Sequence, residues 1–160
     1  MYWAATPLGQ VAGVAAAAVG SVVPSKGTAS PIEISLTQGD YPDVSPTVLI
    51  VDDHAAFRAL VRAVLEEDGY DVIGEAPDGY AGLIAARELR PDVVLLDVRL
   101  PDMDGFAVAG ELAGNGRGPA VVVTSSSEDP LYVGRAQCSG ARGFIAKHDV
   151  CGAALDRLLA

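Results

Sequence analysis

VVLLDVRLPDMDG, residues Val93–Gly105, opens with four consecutive aliphatic residues and breaks at Asp97. The run does not alternate apolar with polar, so a strand built from it must be covered on both faces. The same texture recurs on either side. VLIV (Val48–Val51) precedes Asp52, Asp53 and His54, and AVVV (Ala120–Val123) precedes Thr124. Five strands are predicted, over Val48–Val51, Asp71–Glu75, Val93–Leu96, Ala120–Val123 and Gly143–Ala146. Their starts lie 23, 22, 27 and 23 residues apart, room for one crossover helix each time.

The intervening segments carry helical periodicity. Phe57, Leu60, Val61, Val64 and Leu65 form one apolar stripe, with Arg58, Arg62, Glu66 and Glu67 elsewhere on the wheel and Gly69 as a stop. Ala81, Ile84, Ala85 and Leu89 form a second, closed by Pro91. Phe106, Ala109 and Leu112 form a third, ahead of Gly114 and Gly116. The segment Glu128–Ser139 is weakly amphipathic and contains Gly134, so it is expected to be the least stable helix. Cys151, Ala154, Leu155 and Leu158 make the last stripe. The pattern predicts a (βα)5 α/β fold: a doubly wound, parallel five-stranded sheet with helices on both faces.

Half of the 160 residues are hydrophobic, enough to bury a core at this size. Eleven Lys and Arg against 21 Asp and Glu leave a formal net charge of −10. That balance argues against a nucleic-acid surface and against docking on anionic membranes, both of which need clustered cations. Cys138 and Cys151 are too few for a disulfide framework and read as two small buried hydrophobes. Residues 1–47, rich in Ala, Gly, Ser, Thr and Pro, read as a disordered N-terminal extension. Their one apolar run, Val11–Val23, is shorter than the roughly 18 residues of a membrane span, and no basic residue precedes it as in a secretory signal. A true start inside the chain, for example at Val44, is the competing reading of that segment.

In an open doubly wound sheet, ligands bind outside the carboxyl ends of the strands. Asp52, Asp53 and His54 follow the first strand, Asp97 the third, Thr124, Ser125 and Ser126 the fourth, and Lys147 the fifth. If the first and third strands are neighbours, three carboxylates converge. At ~4–5 Å each like-charged pair costs a few kcal/mol at an effective dielectric near 20, so the cluster calls for a cation. Hard oxygen ligands with positions left for water and phosphate suit Mg2+. A divalent cation, an ammonium and a hydroxyl around a carboxylate describe a phosphoryl-transfer site, with Asp97 as the nucleophile.

VLIVDDH (Val48–His54), VVLLDVRLPDMDG (Val93–Gly105), VVVTS (Val121–Ser125) and GFIAK (Gly143–Lys147), in that order, resemble the receiver domain of two-component response regulators. The resemblance covers residues 48–160, and DDH and GFIAK look most like receivers that precede helix-turn-helix output domains. It implies the flavodoxin-like form of the sheet. It implies Asp97 as phosphoacceptor, Asp53 as a direct Mg2+ ligand, Asp52 as its acidic neighbour acting through water, and the Arg99 backbone carbonyl as a further metal ligand. It also implies Thr124 as the switch hydroxyl, Lys147 as the cation that pairs with the phosphoryl group, and Phe144 as an aromatic rotamer switch on the output face. The chain departs from many receivers at His148, where they carry proline after a cis peptide bond. Because the sequence stops at Ala160, the expected form is a single-domain receiver or the front of a longer regulator. The implied partners are a sensor histidine kinase or phosphotransfer protein and a downstream protein. DNA binding by this chain and membrane association are not expected, the location would be cytoplasmic, and a homodimer is open.

Plainer readings stand beside these. Asp52 and Asp53 could cap a helix, and Thr124–Ser126 could cap the fourth helix, with Ser125 and Ser126 capping or facing solvent. Asp102 and Asp104 read as loop and cap residues, His54 and His148 as solvent-facing loop residues and not ligands, Phe144 as simple packing, and Tyr132 as helix surface or interface. Two other functions compete. A haloacid-dehalogenase-type phosphatase would carry a second Asp where Arg99 stands, which disfavours an enzyme beyond self-catalysed phosphotransfer and autodephosphorylation. A protein-binding module independent of phosphorylation is the other.

Overall fold

The computed structural model describes residues 45–160 apart from residue 115, so the reading of 1–47 lies almost wholly outside the described residues. The elements follow in strict alternation. They are β1 (Thr47–Val51), α1 (Ala55–Glu67), β2 (Asp71–Ala76), α2 (Gly79–Leu89), β3 (Val93–Asp97), α3 (Gly105–Ala113), β4 (Ala120–Ser125), α4 (Leu131–Cys138), β5 (Gly143–Ala146) and α5 (Gly152–Leu159). A 3-10 turn, Lys147–Asp149, joins β5 to α5. All five strands pair in parallel, in the order β2-β1-β3-β4-β5, the flavodoxin-like (βα)5 arrangement.

The continuous apolar runs are explained by two cores. Successive side chains of a strand point to opposite faces. Leu49, Val51, Val94, Leu96, Val121 and Val123 pack on one side with α2, α3 and α4. Val48, Ile50, Val93, Leu95, Val122 and Ile145 pack on the other with α1 and α5. β1 and β3 have neighbours on both edges and helices on both faces, and β3 is buried throughout.

Helix ends follow local chemistry. Gly69, at φ +93°, turns the chain out of α1, and Arg90 ends α2 in the left-handed region, directly before Pro91. Asp78 and Asp104 cap α2 and α3 by accepting from the Ala81 and Phe106 backbone N–H.

Helix orientation is where the apolar stripes mislead. In α1 the buried residues are Val61 and Leu65, while Leu60 is 63% exposed. In α2 the buried face is Gly79, Gly82, Leu83 and Ala86, and Ile84 and Leu89 are exposed. The physical reason is close approach: a Cβ at Gly82 would lie 2.8 Å from the Val51 side chain. The helix turns Gly79, Gly82 and Ala86 inward beside Leu83, and Ile84 and Leu89 rotate outward. α3 buries Phe106, Ala109 and Leu112 as the periodicity predicts. α4 buries only Ala136. The cysteines are not buried hydrophobes: Cys138, at the end of α4, is exposed, and Cys151, the residue before α5, is partly exposed. Among the described residues no helix is long and apolar enough to cross a membrane.

Candidate functional site

The carboxyl ends of the three central strands bring the predicted polar residues together. Asp52 follows β1, Asp97 ends β3, and Thr124 and Ser125 end β4, with Asp97 and Thr124 in register. Lys147 leaves β5 and reaches across the sheet edge. Its Nζ lies 2.9 Å from Asp97 Oδ2 and 2.5 Å from Asp52 Oδ2. Asp52 and Asp97 are 1% and 4% exposed, so one ammonium is shared by two buried carboxylates and leaves one negative charge uncompensated. The same Nζ sits 4.6 Å from the centre of the Phe57 ring, which shields it from solvent.

The surrounding backbone sets this geometry. Asp52 Oδ1 accepts from the His54 N–H at 2.8 Å, and Arg58 donates to the Asp52 carbonyl at 2.6 Å. Asp97 Oδ1 accepts a long bond, 3.3 Å, from the Arg99 N–H. The loop after β3 folds back so tightly that a Cβ on Gly105 would lie 2.1 Å from the Asp97 carbonyl oxygen, so only glycine fits there. The Thr124 hydroxyl donates to the Leu96 carbonyl at 3.4 Å, a weak bond that leaves it free to turn.

Electrostatics follow from burial. Loss of water pushes the Asp97 carboxyl above its ordinary range, against the hydrogen bond and charge of Lys147, and the neighbouring Asp52 adds to the rise. Burial also works against the Lys147 ammonium, but its close pairing with Asp52 and its hydrogen bond to Asp97 outweigh this and raise its pKa.

Asp52, Asp53, His54 and Asp97 each place one ligand atom within 4.8 Å of the others. Asp53, His54 and Asp97 line a cleft of about 280 Å3 together with Arg99, Ser125, Ser126 and Lys147, and Asp52 lies buried behind it. This set fits a divalent cation. Three carboxylates meet one ammonium, and the buried Asp52 Oδ2 accepts no well-oriented hydrogen bond and is balanced by the Lys147 charge alone among the described residues.

Several plainer readings are corrected. His54 stands at the N-terminus of α1 without a side-chain cap bond, so Asp52 and Asp53 do not cap that helix. Ser125 is buried and accepts from the Ser127 N–H, Ser126 is exposed, and the first turn of α4 is served instead by Asp129, which accepts from the Leu131 N–H. Asp102 does more than fill a loop: its two oxygens accept from the Gly79 and Tyr80 N–H groups, both at 2.8 Å, tying the β3–α3 loop to the start of α2. Phe144 lies outside the cleft. Tyr132 is no bare surface residue; it sits between Phe144 and Phe106, with ring centres 5.8 and 5.7 Å away. The Lys147–His148 bond is trans, as are all peptide bonds among the described residues. No signal in the sequence marks Asp102 or Tyr132, because their partners lie far away in the chain. His54 was visible as a neighbour of Asp53 but reads as a loop residue until the fold turns its ring to the cleft.

A parallel (βα)5 sheet with buried carboxylates on adjacent central strands and a lysine between them defines a receiver-type domain. The sequence pattern of the response regulator receiver domain matches residues 48–152, and this chain belongs to that family of two-component proteins. Its relatives include the virulence-factor transcription regulator BvgA of Bordetella pertussis, 41% identical over 102 residues, covering 64% of this chain and 49% of BvgA. The chain thus spans about half the length of the curated relatives it matches. The receiver domain of the response regulator NarL from Mycobacterium tuberculosis superposes with a TM-score of 0.66 at 35% identity, covering 72% of this chain and 98% of that one. A CheX–CheY–BeF3–Mg2+ complex from Borrelia burgdorferi gives 0.63 at 25% identity, covering 71% and 85%. Receiver domains bind Mg2+ at an acidic pocket and interact with histidine kinases or phosphotransfer proteins.

Proposed function

We propose that residues 48–160 form a phosphorylation-dependent switch that accepts a phosphoryl group on Asp97 from a histidine kinase or phosphotransfer protein, with Mg2+ as cofactor. The observation that carries this reading is the Lys147 ammonium between the buried Asp52 and Asp97 carboxylates, 2.5 and 2.9 Å from their oxygens. Asp52, Asp53, Asp97 and the Arg99 carbonyl would hold the ion, which neutralises charge on the transferring phosphoryl oxygens. An Asp97 oxygen attacks phosphorus as the phosphohistidine P–N bond breaks, and the freed imidazole takes up a proton. Lys147 then pairs with a phosphoryl oxygen in place of the carboxylates. The Thr124 hydroxyl, weakly held at 3.4 Å, turns from Leu96 to the new dianion. Phe144 follows into the space this vacates, and the surface of α4, β5 and α5 changes shape. The signal passes to a downstream protein in the cytoplasm, where kinases supply the phosphoryl group.

The test is incubation with acetyl phosphate or phosphoramidate, with and without Mg2+, read by intact mass. One added phosphoryl group is expected, dependent on Mg2+ and absent in Asp97→Asn. No addition under conditions where a control receiver reacts, with partner binding unchanged in Asp97→Asn, would instead mark a module that works without phosphorylation.

A further inference from the structure

The cleft differs from an all-oxygen magnesium pocket in one group. His54 Nδ1 lies 2.6 Å from Asp53 Oδ1 and 3.4 Å from Asp52 Oδ1. Two ligands side by side on an octahedral ion, with bonds of ~2.1 Å, stand about 3 Å apart. The two observed spacings bracket that value, so an ion can seat between the imidazole and the carboxylates with small side-chain shifts. Beyond these two carboxylate contacts the ring has no other polar partner among the described residues. It makes no cap bond to α1, and the His54 backbone is already fixed by its N–H bond to Asp52.

We propose that His54 is a direct nitrogen ligand of the divalent cation, and that the pocket therefore prefers a first-row transition dication over Mg2+. This deepens the reading of the cleft as a metal-assisted phosphoacceptor site and rests on it. Mg2+ gains little from an imidazole, whereas Co2+, Ni2+ and Zn2+ gain a bond of the kind they favour. With three carboxylates, the Arg99 carbonyl and one imidazole, an octahedral ion would keep one position open for a phosphoryl oxygen, so the substitution of metal is compatible with the phosphotransfer geometry.

The experiment is calorimetric titration of the untagged, full-length chain with MgCl2 and separately with CoCl2, without a phosphodonor. Wild type, His54→Ala and His148→Ala are compared. The chain has two histidines, and His148 is exposed beside Glu128 and Asp149, so it serves as the control imidazole. Expected are Co2+ binding at least tenfold tighter than Mg2+ in wild type, loss of about that factor in His54→Ala, Mg2+ affinity within threefold throughout, and no change in His148→Ala. A Co2+-shifted imidazole N–H proton resonance, present in wild type and His148→Ala and missing in His54→Ala, gives an independent readout. Equal loss of both metals in His54→Ala makes the histidine structural and overturns the proposal, as does unchanged Co2+ binding. If wild type binds neither metal, the metal-assisted reading of the cleft fails along with it. If Mg2+ binds while Co2+ shows no preference, that reading survives and only the role of His54 falls.

Discussion

α3 and α4 are consecutive helices on the same face of the sheet, held by different means. α3 buries Phe106, Val108, Ala109 and Leu112 and starts at a capping Asp104. α4 buries only Ala136 and carries Gly134 in its middle. What fastens α4 lies at its rim. Arg135 pairs with Asp104 at 2.9 Å and stacks 4.0 Å above the Phe106 ring, while Tyr132 bridges Phe106 and Phe144. Burial of area resists displacement in every direction, whereas a few directional contacts can be exchanged for others at low cost. The helix next to the candidate output strand is thus the more easily moved of the two, and two of its anchors, Asp104 and Phe106, sit where the loop that leads away from Asp97 enters α3.

The contrast can be broken most severely from the α3 side. Leu112→Ala should cost about 2–4 kcal/mol in urea unfolding, since it empties a well-packed site. A loss below about 1 kcal/mol would erase the difference between the helices. On the α4 side, a Cβ at Gly134 meets nothing within 4 Å. Gly134→Ala should stabilise the chain by about 0.5–1 kcal/mol and slow hydrogen exchange in α4. Exchange protection already equal across all five helices in the wild type would contradict the low local stability of α4. Arg135→Ala, which removes an exposed pair and a ring contact, should cost about 0.5–1 kcal/mol and speed exchange in α4 while α3 stays protected.

The smallest effect sharpens the contrast with α1, which is pinned to β2 by Arg58 and Arg62 on Glu75, at 3.0 and 2.7 Å. The Arg62 hydrogen bond, outweighing burial and aided by Arg58, holds the Glu75 carboxyl below its ordinary 4.5. The unfolded chain therefore binds this proton first as pH falls. The stabilisation is complete above the unfolded value and is lost as pH drops through the lower folded one. Glu75→Gln should flatten the acid limb of a stability–pH profile by less than about 1 kcal/mol, because the groups are partly exposed. An unchanged acid limb would show that α1 is not held by this pair.

Strand identity and the residues that follow each strand were legible because they depend on local order alone. Short, β-branched aliphatic runs at spacings of 22 to 27 residues read as doubly covered strands, and the residue that ends each lies at the carboxyl edge of the sheet. Asp52, Asp97, Thr124 and Lys147 were therefore readable from position, and the parallel sheet brings them to one edge. The rotation of α2 was not legible. Hydrophobicity favours burying Ile84 and Leu89, but the approach of Val51 demands a face of small residues, and that demand comes from a strand more than 25 residues earlier. The stacking of Tyr132 between two aromatic rings, the cap that Asp102 supplies to α2, and the turn of His54 toward the cleft share that origin. Chain order by itself determined the elements, their sequence and the acidic edge. Which helix faces meet the sheet, and which polar atoms meet one another across it, was decided only by packing, because those choices depend on distances between residues that are remote in the chain.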